Sequence, residues 1–239
     1  AAESIDQGTV VALEAEFSPS AVALFLALLA RGCIIVPITK AASTHRDDFR
    51  TIAEAQISIA IDDDDQVEIS ALTGDGRHSH YDSLRELQHP GLTLFTSGST
   101  GESKAAVHDL TRLLEKFQVP RRKLRSIAFL LFDHIGGINT LFYSLSNGGC
   151  VVMTEDRSPD GVLGAVEAHR VDLLPTSPTF INLVLLSEAY KRHDLSCLST
   201  LTYGTEPMTE ITLKRFHQLF PHIQLQQTYG MSELGILRS

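Results

Sequence analysis

Two rhythms of apolar residues alternate along this chain. Short continuous runs rich in β-branched side chains are separated by longer stretches whose apolar positions recur every three or four residues. Thr9–Ala15 is a run of the first kind and predicts a strand. Ser18-Pro19 then offers an N-cap and a proline at the first helical position, and Ala21–Ala30 is apolar on every face, which predicts a helix enclosed by protein. Gly32 ends it, and Cys33–Ile38 predicts a second fully buried strand, so the opening reads as a βαβ unit with parallel pairing. The alternation continues with an amphipathic helix over His45–Gln56, a strand over Ile57–Ile61, a strand over Leu92–Thr96 running into a glycine-rich loop, and a helix over His108–Phe117. Further on, strands at Ile127–Phe132 and Val151–Thr154 flank a helix at Ile138–Leu145, and strands at Leu201–Tyr203 and Ile223–Gln226 flank the amphipathic helix Glu210–Phe220. No repeat of fixed period interrupts this order. The pattern predicts an α/β fold in two halves, 1–119 and 120–239, divided at the proline and basic cluster of Val119–Lys123.

Composition narrows the function classes. The chain has 239 residues, 20 Lys and Arg against 29 Asp and Glu, and a net charge of −9, which argues against a nucleic-acid partner held through its phosphates. Three cysteines without a CxxC spacing suggest neither a disulfide framework nor a zinc site. The most apolar segment, Ala21–Ile38, is split by Arg31 and Gly32 and falls short of the ~20 apolar residues of a spanning helix, so no membrane span is expected. With no secretory leader pattern, a cytoplasmic location is expected. The chain opens on Ala-Ala, not Met, as expected of a processed product or a piece of something longer.

The densest chemistry is Leu94-Phe95-Thr96-Ser97-Gly98-Ser99-Thr100-Gly101-Glu102-Ser103-Lys104. Glycines let backbone amides approach an anion, successive N–H groups form a concave nest, hydroxyls add donors and Lys104 adds a full charge. A polyphosphate suits that set better than a plain Ser/Gly surface turn. Neither common phosphate fingerprint fits. Lys104 lies between Ser103 and Ala105, which breaks the Walker ending, and Gly98 and Gly101 lack the third glycine of a dinucleotide loop.

Three further segments stand downstream: Phe132-Asp133-His134-Ile135-Gly136-Gly137, Tyr203-Gly204-Thr205-Glu206 and Gln227-Thr228-Tyr229-Gly230-Met231-Ser232-Glu233. Together with the loop, in this order, they resemble the motifs of the ANL adenylate-forming superfamily, which includes acyl-CoA and aryl-CoA synthetases, nonribosomal adenylation domains and beetle luciferases. Two departures stand out: Ser232 replaces the usual Thr, and Ser103 replaces the proline that commonly precedes the lysine.

The resemblance implies a chemistry and a role for each residue. A carboxylic acid attacks the α-phosphorus of ATP, and pyrophosphate leaves. Thr96, Ser97, Gly98, Ser99, Thr100 and Gly101 would wrap the β- and γ-phosphates, with Lys104 adding charge. Glu233 would be the Mg²⁺ ligand, since a hard cation wants carboxylate oxygen. Ser232 would bond the α-phosphate. Tyr229 would stack on adenine, with Gly204, Thr205 and Glu206 on the other side. His134 would line or gate the carboxylate end of the acid pocket, as a catalytic residue with Lys104 and Ser232, or be an interior residue only. Amino-acid-activating relatives place an aspartate near Asp133 to hold the substrate amine, but the His-Ile-Gly-Gly sequence beside it is closer to the acyl-activating branch. A simple small carboxylic, acyl or fatty acid is therefore expected, with Pro175–Phe180 as pocket wall. Coenzyme A or the phosphopantetheine of an acyl carrier protein would accept the acyl group. The resemblance covers the first two subdomains. In relatives, later regions supply a ribose-binding Asp, a hinge and a catalytic Lys, and this chain stops six residues after Glu233. A non-catalytic nucleotide- or acyl-binding module and an ATP phosphohydrolase remain the other classes.

Three features are expected to be structural only. Asp62–Asp65 reads as a solvated turn, Thr73-Gly74-Asp75 as a turn despite its likeness to a ribose-binding TGD, and His78-Ser79-His80 as lacking a third metal ligand.

Overall fold

The computed structural model describes residues 5–97, 103–231 and 235–236. They fall into two compact units. The first holds the chain up to Lys116 together with Leu131–Ile135; the second holds Phe117–Leu130 and the chain from Gly136 onward.

The first unit begins with β1 (Val10–Glu14), α1 (Pro19–Ala30) and β2 (Ile34–Ile38). Ser18 caps α1 by accepting a hydrogen bond from the Ala21 amide at 3.0 Å, with Pro19 in the first turn. A 3₁₀ turn and the short helix α2 (Arg46–Ile52) lead to β3 (Ile57–Ile61), then β4 (Val67–Ala71), α3 (Asp82–Leu87), β5 (Gly91–Ser97), β6 (Ser103–Asp109) and α4 (Leu110–Leu114). The sheet runs β4-β3-β1-β2-β5-β6, parallel through its centre, with antiparallel hairpins β3–β4 and β5–β6 at its two edges. Val10, Ala12, Ile34, Val36 and Ile38 pack on one face with Ala53, Ala55, Tyr81 and Leu84. The alternate residues Val11, Leu13 and Ile35 are equally buried, as expected for strands covered on both faces.

In the second unit, β7 (Arg125–Ile127), β8 (Cys150–Val152), β9 (Leu173–Thr176), β10 (Thr200–Tyr203) and β11 (Gln224–Gln227) form an all-parallel sheet in the order β11-β10-β9-β7-β8. α5 (Ile135–Ser146) connects β7 to β8. α6 (Pro159–His169), α7 (Pro178–Ser187) and α8 (Glu210–Leu219) share one hydrophobic core that includes Val162, Val166, Phe180, Val184 and Phe216. Beyond β11, β12 (Gly230–Met231) and β13 (Gly235–Ile236) pair antiparallel.

The α/β class stands, and several elements differ in extent. The helix expected over His45–Gln56 ends at Ile52, and Glu54 follows with φ of +50°. The strand expected to reach Phe132 stops at Ile127, and Phe132 is instead fully buried in the first unit against Phe17 and Phe25, with ring centroids 4.7 and 5.4 Å away. The helix expected from His108 begins only at Leu110, because 103–109 pair with β5 as a strand. No described helix is long and apolar enough to cross a membrane.

Candidate functional site

The glycine-rich segment closes a β-hairpin. β5 and β6 pair from Gly91↔Asp109 to Ser97↔Ser103, so the chain between Ser97 and Ser103 joins two antiparallel strands and does not lead from a strand into a helix. Thr96 and Lys104 are direct cross-strand partners and so share one face of the hairpin, close to its tip. Gly98, Ser99, Thr100 and Gly101 lie outside the described residues. The stem is well fixed. Phe95 stacks on Phe49 of α2 at 3.9 Å between centroids, Leu92 and Leu94 are buried, and Asp109 takes a 2.8 Å hydrogen bond from His89 while capping α4 through the Arg112 amide. The strand β6, not a helix N-terminus, follows the loop, so the helix-end contribution to anion binding that a strand–loop–helix would supply is missing here.

In the second unit the structure brings two of the sequence motifs side by side. Tyr203 and Gln227 are register partners at the C-terminal ends of β10 and β11, which places Gly204-Thr205-Glu206 beside Thr228-Tyr229. The Thr228 amide and hydroxyl both donate to the Tyr203 carbonyl, at 2.7 and 3.1 Å. A Cβ on Gly204 would stand 2.7 Å from Thr228 Oγ1 and 2.8 Å from its carbonyl oxygen, so only glycine fits there. Thr205 adopts φ of +71°, an uncommon conformation for a β-branched residue. The Glu206 carboxylate accepts a hydrogen bond from the Thr179 hydroxyl in the first turn of α7. Tyr229 is 66% exposed, a large aromatic face left uncovered at a strand end. The C-terminal edge of a parallel α/β sheet is where such folds receive ligands. Ser232 and Glu233 fall between β12 and β13 and lie outside the described residues.

Phe132–Ile135 of the remaining motif belong to the first unit. Asp133 Oδ2 accepts from both the amide and the hydroxyl of the buried Thr39, at 3.0 and 2.7 Å, just beyond the end of β2. That oxygen is already used by the protein. His134 is half-buried, and burial pushes its imidazole pKa below the ordinary 6.5, with the neighbouring Asp133 charge pulling the other way.

Sequence reasoning missed three supporting residues. Thr228 lay within a quoted motif but carried no assigned role, Thr179 was read only as part of the pocket wall, and Thr39 had no local signal, since its partner is 94 residues away. The features set aside are structural in the fold. Asp62 Oδ1 accepts from the Asp64 and Gln66 amides, closing the β3–β4 turn. Gly74 lies against the Glu54–Ala55 backbone, where a Cβ would come within 2.3 Å of the Ala55 carbonyl oxygen. His78 Nδ1 accepts from the His80 amide. Among the described residues, no group of three or more His, Cys, Asp or Glu side chains could hold a metal ion.

Comparison with known proteins agrees with this geometry. Among curated sequences, the chain is 28% identical over 153 residues to 4-coumarate--CoA ligase-like 9 of Arabidopsis thaliana, covering 60% of this chain and 27% of that protein. It is 25% identical over 150 residues to nonribosomal peptide synthetase easA of Emericella nidulans, covering 60% of this chain and 2% of that one. It therefore spans about a quarter or less of the length of these relatives. Among solved structures, the N-terminal subdomain of Klebsiella oxytoca NpsA in complex with 3-hydroxyanthranilyl-AMSN superposes with a TM-score of 0.77 at 17% identity, covering 99% of this chain and 65% of that one. The luciferase-like enzyme of the nonluminescent Zophobas morio mealworm gives 0.77 at 19%, covering 98% and 63%. The fold is thus that of the N-terminal subdomains of adenylate-forming enzymes. A family model described as AMP-binding enzyme matches residues 2–238, and the chain belongs to that family.

Proposed function

We propose that this chain is the N-terminal part of an enzyme that activates a carboxylic acid with ATP, forming an acyl-adenylate and releasing pyrophosphate. The observation that carries the reading is the pair of adjoining strand ends, Gly204–Glu206 and Thr228–Tyr229, in a chain of the AMP-binding enzyme family. Adenine stacks on the exposed ring of Tyr229, a contact worth about 1–3 kcal/mol per base, and the Gly204–Glu206 backbone borders it. The hairpin tip, Thr96 to Lys104, takes the β- and γ-phosphates. Ser232 bonds the α-phosphate. Bringing a carboxylate to a triphosphate opposes two anions; Lys104 neutralises charge there, and Glu233 would hold Mg²⁺, which would supply further positive charge.

Asp133 anchors Thr39 through Oδ2, and the acid is read as one without an α-amino group, as the His-Ile-Gly-Gly sequence beside it favours. His134, neutral at physiological pH, lines the acid pocket without adding a charge. Coenzyme A or a carrier-protein phosphopantetheine receives the acyl group, as the names of the CoA-ligase and peptide-synthetase relatives suggest. A module that binds nucleotide without turnover is the alternative reading.

Carboxylate-dependent ATP–pyrophosphate exchange, with a panel of aliphatic and aryl acids, tests the proposal. Exchange with one class of acid supports it. Mg-ATP binding without exchange supports the binding module, and hydrolysis indifferent to added acid would indicate a phosphohydrolase.

A further inference from the structure

The nucleotide reading uses the C-terminal strand ends of the second unit's sheet. The opposite edge has a different chemistry. Arg121, Arg122 and Lys123 precede β7, Arg125 opens it, and Arg170 follows α6 just before β9. Because β9, β7 and β8 are neighbours, these five cations line adjoining strand starts. All five are exposed, and none makes an ion pair with a carboxylate among the described residues. Elsewhere the described Lys and Arg side chains are commonly paired: Lys214 with Glu210, Arg192 with Asp160, Arg112 with Asp109.

The backbone beneath the cations is fixed. The Arg121 amide donates to Asn147 Oδ1, the Tyr143 hydroxyl donates to the Arg122 carbonyl at 2.9 Å, and the Arg125 amide donates to Asp172 Oδ2 at 2.9 Å. Arg125 Nε donates to the His169 carbonyl at 2.8 Å, which holds that guanidinium at the rim of an open depression it shares with Arg170 and Asp172. Two apolar side chains of the same region, Val119 and Leu145, are 58% and 42% exposed. A fixed backbone carrying exposed cations that make no ion pair, bordered by exposed apolar groups, is an arrangement with a use. The cations' mutual repulsion, screened by salt and partly offset by Asp172 and Asp194, is relieved further by an anionic partner.

We propose that this edge is a docking surface for an acidic protein segment, one that sets carboxylates against Arg121–Arg125 and Arg170 and apolar side chains against Val119 and Leu145. Four of the five cations are arginines, whose planar donor forks match carboxylates. The net charge of −9 selects against larger polyanions. Charges further apart than the Debye length of about 8 Å at physiological salt are screened. A short acidic segment therefore meets only the local cations, whereas duplex DNA or an anionic bilayer extends over the acidic remainder of the surface.

The test uses the whole chain and a short fluorescein-labelled peptide of Glu and Leu, read by anisotropy against labelled duplex DNA and phosphatidylserine vesicles. Replacing Arg121, Arg122 and Lys123 together by Ala is expected to weaken peptide binding about tenfold or more. The control R77A/R112A/K214A removes the same charge from paired positions and changes it less than twofold. Hydrogen exchange on the unaltered chain, which needs no variant to fold, slows at residues 119–125 and 168–172 when peptide is added. Equal loss in both triple variants, absence of saturable binding, tighter binding to DNA or vesicles than to the peptide, or slowing only elsewhere would each overturn the proposal.

Discussion

Gly204 shows how far a single residue constrains this fold. With Thr228 Oγ1 and its carbonyl under 3 Å from any Cβ, the first residue past β10 has to be glycine for β10 and β11 to end side by side. Thr205 then takes a left-handed turn, and Glu206 is held by Thr179. Backbone strain at a strand end beside an exposed aromatic is the kind of outlier that clusters at ligand sites. His134 yields a prediction about pH. Its folded-state pKa lies below the ordinary 6.5, so above that value it is neutral whether folded or unfolded and makes no difference to stability. As pH falls below 6.5 the unfolded chain takes up the proton first, and stability is lost. His134→Gln is therefore expected to flatten the fall in urea midpoint between pH 7 and pH 5. An unchanged pH slope would show that His134 titrates normally.

Elements whose burial matches their sequence rhythm were legible. β1 and β2 are buried along their whole length and apolar apart from Glu14, β3 is apolar apart from Ser58, and α1 carries both its cap and its proline. What hid the others was tertiary context. β4 is exposed along its whole length, so Val67 and Ile69 give no buried alternation to detect. β6 opens with Ser-Lys-Ala-Ala, good helix-forming sequence, and only its pairing with β5 makes it a strand. That pairing turns an expected strand–loop–helix into a hairpin and moves Lys104 from a loop onto a strand. The segment 131–135 was read as strand followed by pocket motif. Its anchoring to Thr39 is a long-range contact that no local pattern encodes. Asp133→Ala removes two hydrogen bonds to a carboxylate and leaves the buried Thr39 hydroxyl and amide without that acceptor. A loss of roughly 2–4 kcal/mol is expected, read as a lower urea midpoint, while Asp133→Asn, which keeps an acceptor oxygen, loses less. An Ala variant as stable as the original would contradict the anchoring role.

At the scale of the whole molecule, family membership and the N-terminal adenylate-forming fold stand on matches that span almost the entire chain. The order of the four motifs was visible in the sequence because glycine and hydroxyl spacings are local. The adjacency of the second and third of the downstream motifs was not, since it depends on β10 and β11 being neighbours in the sheet. The central proposal is that nucleotide binding depends on Lys104 and on the strand ends Gly204–Glu206 and Thr228–Tyr229 alike. Calorimetric titration with Mg-ATP tests it most directly, using the unaltered chain, Lys104→Ala and Gly204→Ala, each checked for folding by circular dichroism. The account predicts one nucleotide per chain and at least tenfold weaker binding in either variant. Two nucleotides per chain, or affinity unchanged by one of the two substitutions in a folded variant, would contradict it.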